Sequence, residues 1–264
     1  MRAMVLVTAV SALGLVGAAA APAKAPAPPA PITPYLAPDA IDTYKILPPA
    51  PVAGTTRYEA DRTIFLQTRK LEGTPRWDMA KGDDNSFGII KGMSCAIGAE
   101  LTPENAPKTY RMFMRVGRDA SITTNHPKDI YKRQRPYLID EGNICINKSD
   151  ALAKSPDYPS GHNTWGWSVG LILAEIAPDR ATPIMARARA FGESRLVCGV
   201  HNMSAVHIGW ANGSIMVAAL HGNPEFQKDL EAVKKEVAAV RKTAPAPDAA
   251  RCAAEAELVA QSPY

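Results

Sequence analysis

The sequence predicts an all-α fold, a compact multi-helix bundle. Three observations carry that reading. Apolar residues recur at helical spacing in six segments between residue 56 and residue 241. Several of these segments follow a Thr-Pro, Ser-Gly or Asn-Pro start signal. No segment alternates with the period of two that a half-buried strand requires. With 264 residues, 46% of them hydrophobic and 21% charged, the chain has material for one substantial core.

The elements follow in order. Residues 1–20 read as a signal peptide: Arg2 supplies the charge, Ala3 to Val16 the apolar run, and Gly17 to Ala21 small residues for cleavage near Ala20. Residues 21–55 read as a Pro/Ala-rich linker, since ten of the 23 prolines fall between Pro22 and Pro51. Tyr35-Leu36 and Ile46-Leu47 suggest that its later part docks on the domain. The domain proper is placed at 56–242. A first helix is expected over 57–71, and a second from Thr102-Pro103-Glu104 to Arg118. Ser160 is the expected N-cap of a third, ending before Pro178. Thr182-Pro183 opens a fourth to Arg195, His201 a fifth to His221, and Asn223-Pro224 a sixth to Arg241. The central helices are apolar nearly all round and therefore belong in the core. Residues 243–264 are read as a tail. No run after the signal peptide reads as a membrane span, so the mature chain is expected to be soluble, without a membrane partner.

The net charge of +4 is mild, and no long Lys/Arg run marks a nucleic-acid binder. Cys95, Cys145, Cys198 and Cys252 form no C-x-x-C pair. In an exported chain they are expected to make two disulfides, with three connectivities open.

The chemistry lies in three short segments. Lys128 and Arg135-Pro136 come first, and a spacing of seven suggests one helix face. Pro159-Ser160-Gly161-His162 comes next: a turn into a helix whose free N–H groups and dipole attract anions. Ser194-Arg195 and His201 complete the set. A guanidinium grips two phosphate oxygens in a planar fork. Three cations, two imidazoles and a helix start suit phosphoryl transfer, which depends on positioning and charge stabilisation. No cluster of metal ligands accompanies them, and neither metal nor cofactor is expected.

The pattern Lys-x6-Arg-Pro, Pro-Ser-Gly-His, Ser-Arg-x5-His resembles the signature of the type 2 phosphatidic acid phosphatase superfamily, which includes the vanadium haloperoxidases. More narrowly, the chain resembles the bacterial class A non-specific acid phosphatases. Glu104-Asn105-Ala106-Pro107, Gly192-Glu193-Ser194-Arg195, Cys198-Gly199-Val200-His201 and the run Leu220 to Phe226 carry that likeness over residues 56–240. The resemblance implies that Lys128, Arg135 and Arg195 hold phosphate oxygens, with Ser160 and the Gly161 N–H completing the cradle. It implies that His201 attacks phosphorus and that His162 protonates the leaving group. It also implies pairing of Cys145 with Cys198 and of Cys95 with Cys252.

One position departs from the family. Its third motif continues His-x3-Asp, and here residue 205 is alanine. If His201 opens a helix, a carboxylate at 205 would lie over the imidazole and fix its tautomer. Ser204 is the nearest substitute. The leading expectation is an exported, metal-independent acid phosphatase of the periplasm. It acts on small phosphomonoesters through a phosphohistidine, with those esters and inorganic phosphate as its partners. The alternative is a phosphate-binding relative with weakened turnover; a vanadate-dependent haloperoxidase is a third reading. Whether the chain works as a monomer or a homo-oligomer is left open.

Overall fold

A computed structural model describes residues 31–264; the expected signal peptide and the first part of the expected linker lie outside them. Among the described residues every regular element is helical. The helices of eight residues or more are α1 (Thr56–Thr68), α2 (Pro75–Gly82), α3 (Pro107–Tyr131), α4 (Gly161–Ile176), α5 (Ala181–Val197), α6 (Met203–Leu220), α7 (Pro224–Thr243) and α8 (Ala249–Ala260). Shorter helical turns occupy several of the connections.

α4 is the centre of the bundle, packed between α5 and α6, with α3 and α7 alongside. The close approach depends on glycine. A Cβ at Gly166 would meet the Phe191 ring at 2.4 Å, and one at Gly170 would meet Ala188 at 2.5 Å. On α6, a Cβ at Gly209 would lie 2.7 Å from the Ser160 carbonyl, and one at Gly213 2.8 Å from that of Thr164. Phe113, Val116, Trp165, Val169, Phe191 and Leu220 are among the side chains of the shared core. α6 is long and apolar enough to cross a membrane, contrary to the expectation that no such run follows the signal peptide. Half of it is buried inside the bundle, and that is what its apolar composition serves here.

α3 differs from its expected course. Asn105 accepts from the Thr102 N–H (2.8 Å) and donates to the Glu100 carbonyl (2.9 Å), which holds residues 102–105 in a turn. The helix therefore starts at Pro107 and runs past Arg118 to Tyr131. Met112, Val116, Ala120, Thr124 and Lys128, at steps of four, are all buried. The period that builds the core thus also carries Lys128 inward. Pro127 lacks the N–H that would bond the Thr123 carbonyl. That carbonyl instead accepts from Thr43 Oγ1 (2.6 Å) and Asn212 Nδ2 (3.3 Å).

Both chain ends of the described region pack on the bundle. Residues 32–55, assigned to the linker, include Tyr35 and Leu47, which are buried. Asp119 accepts from the N–H groups of Tyr35 and Leu36, and Arg115 lies 3.7 Å over the Tyr35 ring. Residues 243–264, assigned to a tail, contain α8. Cys95–Cys252 ties α8 to the bundle, and Cys145–Cys198 closes the second pair, with S–S distances of 2.01 and 2.05 Å.

Candidate active site

The ends of the helices meet in one cavity. Lys128 sits in the last turn of α3, Gly161 and His162 in the first turn of α4, and Arg195 in the last turn of α5. Arg135 and His201 come from connecting segments. Lys132 closes α3 in the left-handed region (φ 45°). Arg135, before Pro136, is extended (φ −71°, ψ 151°), as a residue preceding proline prefers. Lys128 and Arg135 therefore do not share a helix face; they converge from either side of a turn. His201 lies before α6, whose N-cap is Asn202, so it does not open that helix as expected.

A cavity of about 410 Å³ is lined by Lys128, Arg135, Gly161, His162, Arg195 and His201. Ser160 is fully buried and does not line it; its hydroxyl accepts from the N–H of Asn163 at the helix start (3.4 Å) and from Asn163 Nδ2 (3.0 Å). Arg135 is fixed by donation to the carbonyls of Ser155 (2.8 Å) and Val200 (2.7 Å). Lys128 donates to the Pro156 carbonyl. Burial, reinforced by Arg135, pushes the Lys128 ammonium down to about 8. Arg195 donates one NH group to Asp84 (2.7 Å), while its Nε is buried without a protein partner. Three cations against the single carboxylate of Asp84 in the cavity lining favour an anion there.

The two imidazoles differ in setting. His162 stacks on Phe191 (4.3 Å between centroids, 11° between planes), and its Nδ1 is 2.9 Å from Ser86 Oγ. Its Nε2 is buried and without a protein partner. His201 Nδ1 is 2.9 Å from Asp157 Oδ1, and its Nε2 is 3.3 Å from an NH group of Arg135. Arginine has donors only, so Nε2 is the ring's acceptor and Nδ1 carries the proton of the neutral imidazole. Burial, followed by Arg135 and Lys128, holds His201 well below the ordinary value of 6.5. Burial, followed by Arg195 and His201, does the same to His162.

Residues 116–227 match the sequence model of the PAP2 superfamily. The chain is 37% identical over 217 residues to the acid phosphatase of Zymomonas mobilis, covering 81% of this chain and 82% of that one. The chain belongs to the PAP2 superfamily. It is also 35% identical to a non-specific acid phosphatase of Providencia stuartii, over 77% of this chain and 84% of the relative. A non-specific acid phosphatase of Salmonella typhimurium is 31% identical over 78% and 84%. This PAP2 chain is accordingly an acid phosphatase, a phosphoric monoester hydrolase of all-α fold.

Several residues of this PAP2 site were not singled out from sequence. Asp157 touches His201 from 44 positions away. Arg133 bridges Asp61 (2.7 Å) and Asp157 (3.4 Å). Asp84 and Ser86 contact Arg195 and His162. The one available signal was the placement of Asp157 two residues before Pro159, and no local spacing rule connects it to His201.

Proposed function

We propose that this PAP2 acid phosphatase is exported and hydrolyses small phosphomonoesters through a phosphohistidine. The observation that carries the reading is the setting of His201, with Nδ1 2.9 Å from Asp157 and Nε2 3.3 Å from Arg135 in a cavity lined by three cations. Lys128, Arg135 and Arg195 hold the non-bridging oxygens, with the Gly161 N–H at the helix start. The lone pair of His201 Nε2 attacks phosphorus as the bond to the ester oxygen breaks. His162 gives that oxygen its proton. The now neutral His162 takes a proton from water, the hydroxide attacks phosphorus, and the P–N bond breaks with its electrons returning to Nε2. Two disulfides and the apolar N-terminal segment support export to an oxidising compartment such as the periplasm. The test is rapid quench with a radiolabelled phosphomonoester. The expected species is an acid-labile, alkali-stable phosphoprotein, absent from His201→Ala, which still binds vanadate. Normal kcat in His201→Ala would remove His201 from the nucleophile role.

Ala205 favours a second reading, a phosphate binder without rapid turnover. Release of p-nitrophenol between pH 4 and 8 with EDTA present separates the two. Fast release supports the enzyme, and binding without release supports the alternative.

A further inference from the structure

We propose that Asp157 is the positioning residue of His201, supplying from the segment before Pro159 the carboxylate that the family's third motif places four residues after the histidine. The inference rests on the reading of His201 as nucleophile and asks what holds it.

The two segments concerned lie against each other. The Ser160 N–H donates to the Ala205 carbonyl (3.1 Å), and Asp157 contacts both His201 and Asn202. Position 205, where the family carries its aspartate, and position 157 therefore flank one junction. Here 205 is a fully buried alanine, and the carboxylate is at 157.

Asp157 is held as a positioning residue must be. It is fully buried. Its Oδ1 accepts from the His201 ring (2.9 Å) and from the Asn202 N–H (3.1 Å). Its Oδ2 accepts from Asn202 Nδ2 (2.9 Å) and lies 3.4 Å from an NH group of Arg133. Arg133 is itself anchored by Asp61. Ser204, the substitute expected from sequence, is committed elsewhere: its hydroxyl donates to Asp61 (2.6 Å) and accepts from Arg133 (2.6 Å). The proton of His201 Nδ1 points to Asp157 because Arg135 occupies Nε2 with a donor. The carboxylate thus selects the tautomer that leaves Nε2 nucleophilic. It also stabilises the cation that forms when Nε2 bonds to phosphorus.

A purely structural Asp157, capping α6 and neutralising Arg133, would affect stability but not the imidazole. Three measurements distinguish the roles. Long-range ¹H–¹⁵N correlation spectra of the wild-type protein are expected to show His201 protonated on Nδ1; protonation on Nε2 overturns the proposal. Asp157→Asn is expected to lower kcat by roughly 10²–10⁴-fold while the Ki of inorganic phosphate stays within about threefold. Adding Ala205→Asp to Asp157→Asn is expected to restore kcat at least about tenfold, whereas Ala205→Asp alone brings no gain, because the ring already has its partner. A kcat within about threefold of wild type in Asp157→Asn, or a tenfold gain from Ala205→Asp alone, overturns it. If Asp157→Asn does not fold, the tautomer and the single Ala205→Asp variant still decide. Failure of the nucleophile assignment is separately visible, as turnover retained in His201→Ala.

Discussion

Arg195 enters the cavity already partnered, since Asp84 accepts from it at 2.7 Å while remaining partly exposed at the cavity wall. An anion beside a phosphate site repels the ligand even as it steadies the arginine, and at a solvent-facing position the effect is moderate. Asp84→Asn is therefore expected to tighten competitive inhibition by inorganic phosphate about three- to tenfold at pH 7; weaker inhibition would mean that orienting Arg195 outweighs repulsion. The histidines set the pH profile. His201 must be neutral to attack, and its value lies well below 6.5, so the acid limb of kcat/KM falls below pH 6.5. His162 must be protonated to donate, and its value in the free enzyme is also lowered, so the alkaline limb of kcat/KM lies on the acid side as well. A bound phosphate dianion adds negative charge beside His162, so the alkaline limb of kcat is expected at higher pH than that of kcat/KM. Rate profiles over pH 3–9 check both statements, and a kcat/KM optimum at or above pH 7 contradicts the first. At this scale the sequence was legible where residues form a local motif: Lys128, Arg135, Gly161, His162, Arg195 and His201 all line the cavity. Asp157 and Asp84 were not, because each acts on a residue that only the tertiary fold brings near.

Helix α4 begins where the sequence says it should, because Ser160 caps it and Gly161 follows. α7 does likewise from Asn223-Pro224. The misread elements are those whose boundaries depend on side-chain bonds or distant contacts. Thr102-Pro103 has the composition of a helix start, but Asn105 locks it as a turn. The sequence reading opens a helix at His201, yet the bond from the Asn202 N–H to Asp157 goes with Asn202 as the N-cap, and α6 starts two residues later, at Met203. The C-terminal residues, read as a tail, carry their own helix signal in the Asp248 N-cap and the Ala-rich run with Glu and Leu that follows, and α8 is docked by Cys252 and by Arg189, which donates to the Val259 carbonyl. At the junction of α6 with α4, a Cβ at Gly209 would meet the Ser160 carbonyl at 2.7 Å and the Thr164 N–H at 3.3 Å. Both neighbours are backbone and cannot swing aside. Gly209→Ala is expected to destabilise the fold by about 1–3 kcal/mol, and to lower kcat by moving the helix start that bears His162. Thermal unfolding with parallel kinetics checks this; an unchanged Tm would show that α6 can slide at no cost.

On the scale of the whole molecule, the described chain closes on itself at both ends, with Tyr35 on α3 and α7 and α8 on α5. Cys95–Cys252 spans 157 positions, so its loss frees a large part of the unfolded chain. Replacing both cysteines by serine is expected to cost about 3–5 kcal/mol, measured by denaturant unfolding of the two forms side by side. A difference under about 1 kcal/mol would mean that α8 holds without the crosslink, through the Arg187–Glu255 pair (3.7 Å) and the bond from Arg189 to the Val259 carbonyl. The connectivity also has a consequence in time. Synthesis delivers the cysteines in the order 95, 145, 198, 252, and neither native bond joins the first two. A chain oxidised as it emerges holds Cys95 and Cys145 together long before either proper partner exists. Its first available crosslink is a wrong one, and under the export proposed above maturation then calls for thiol–disulfide exchange as well as oxidation.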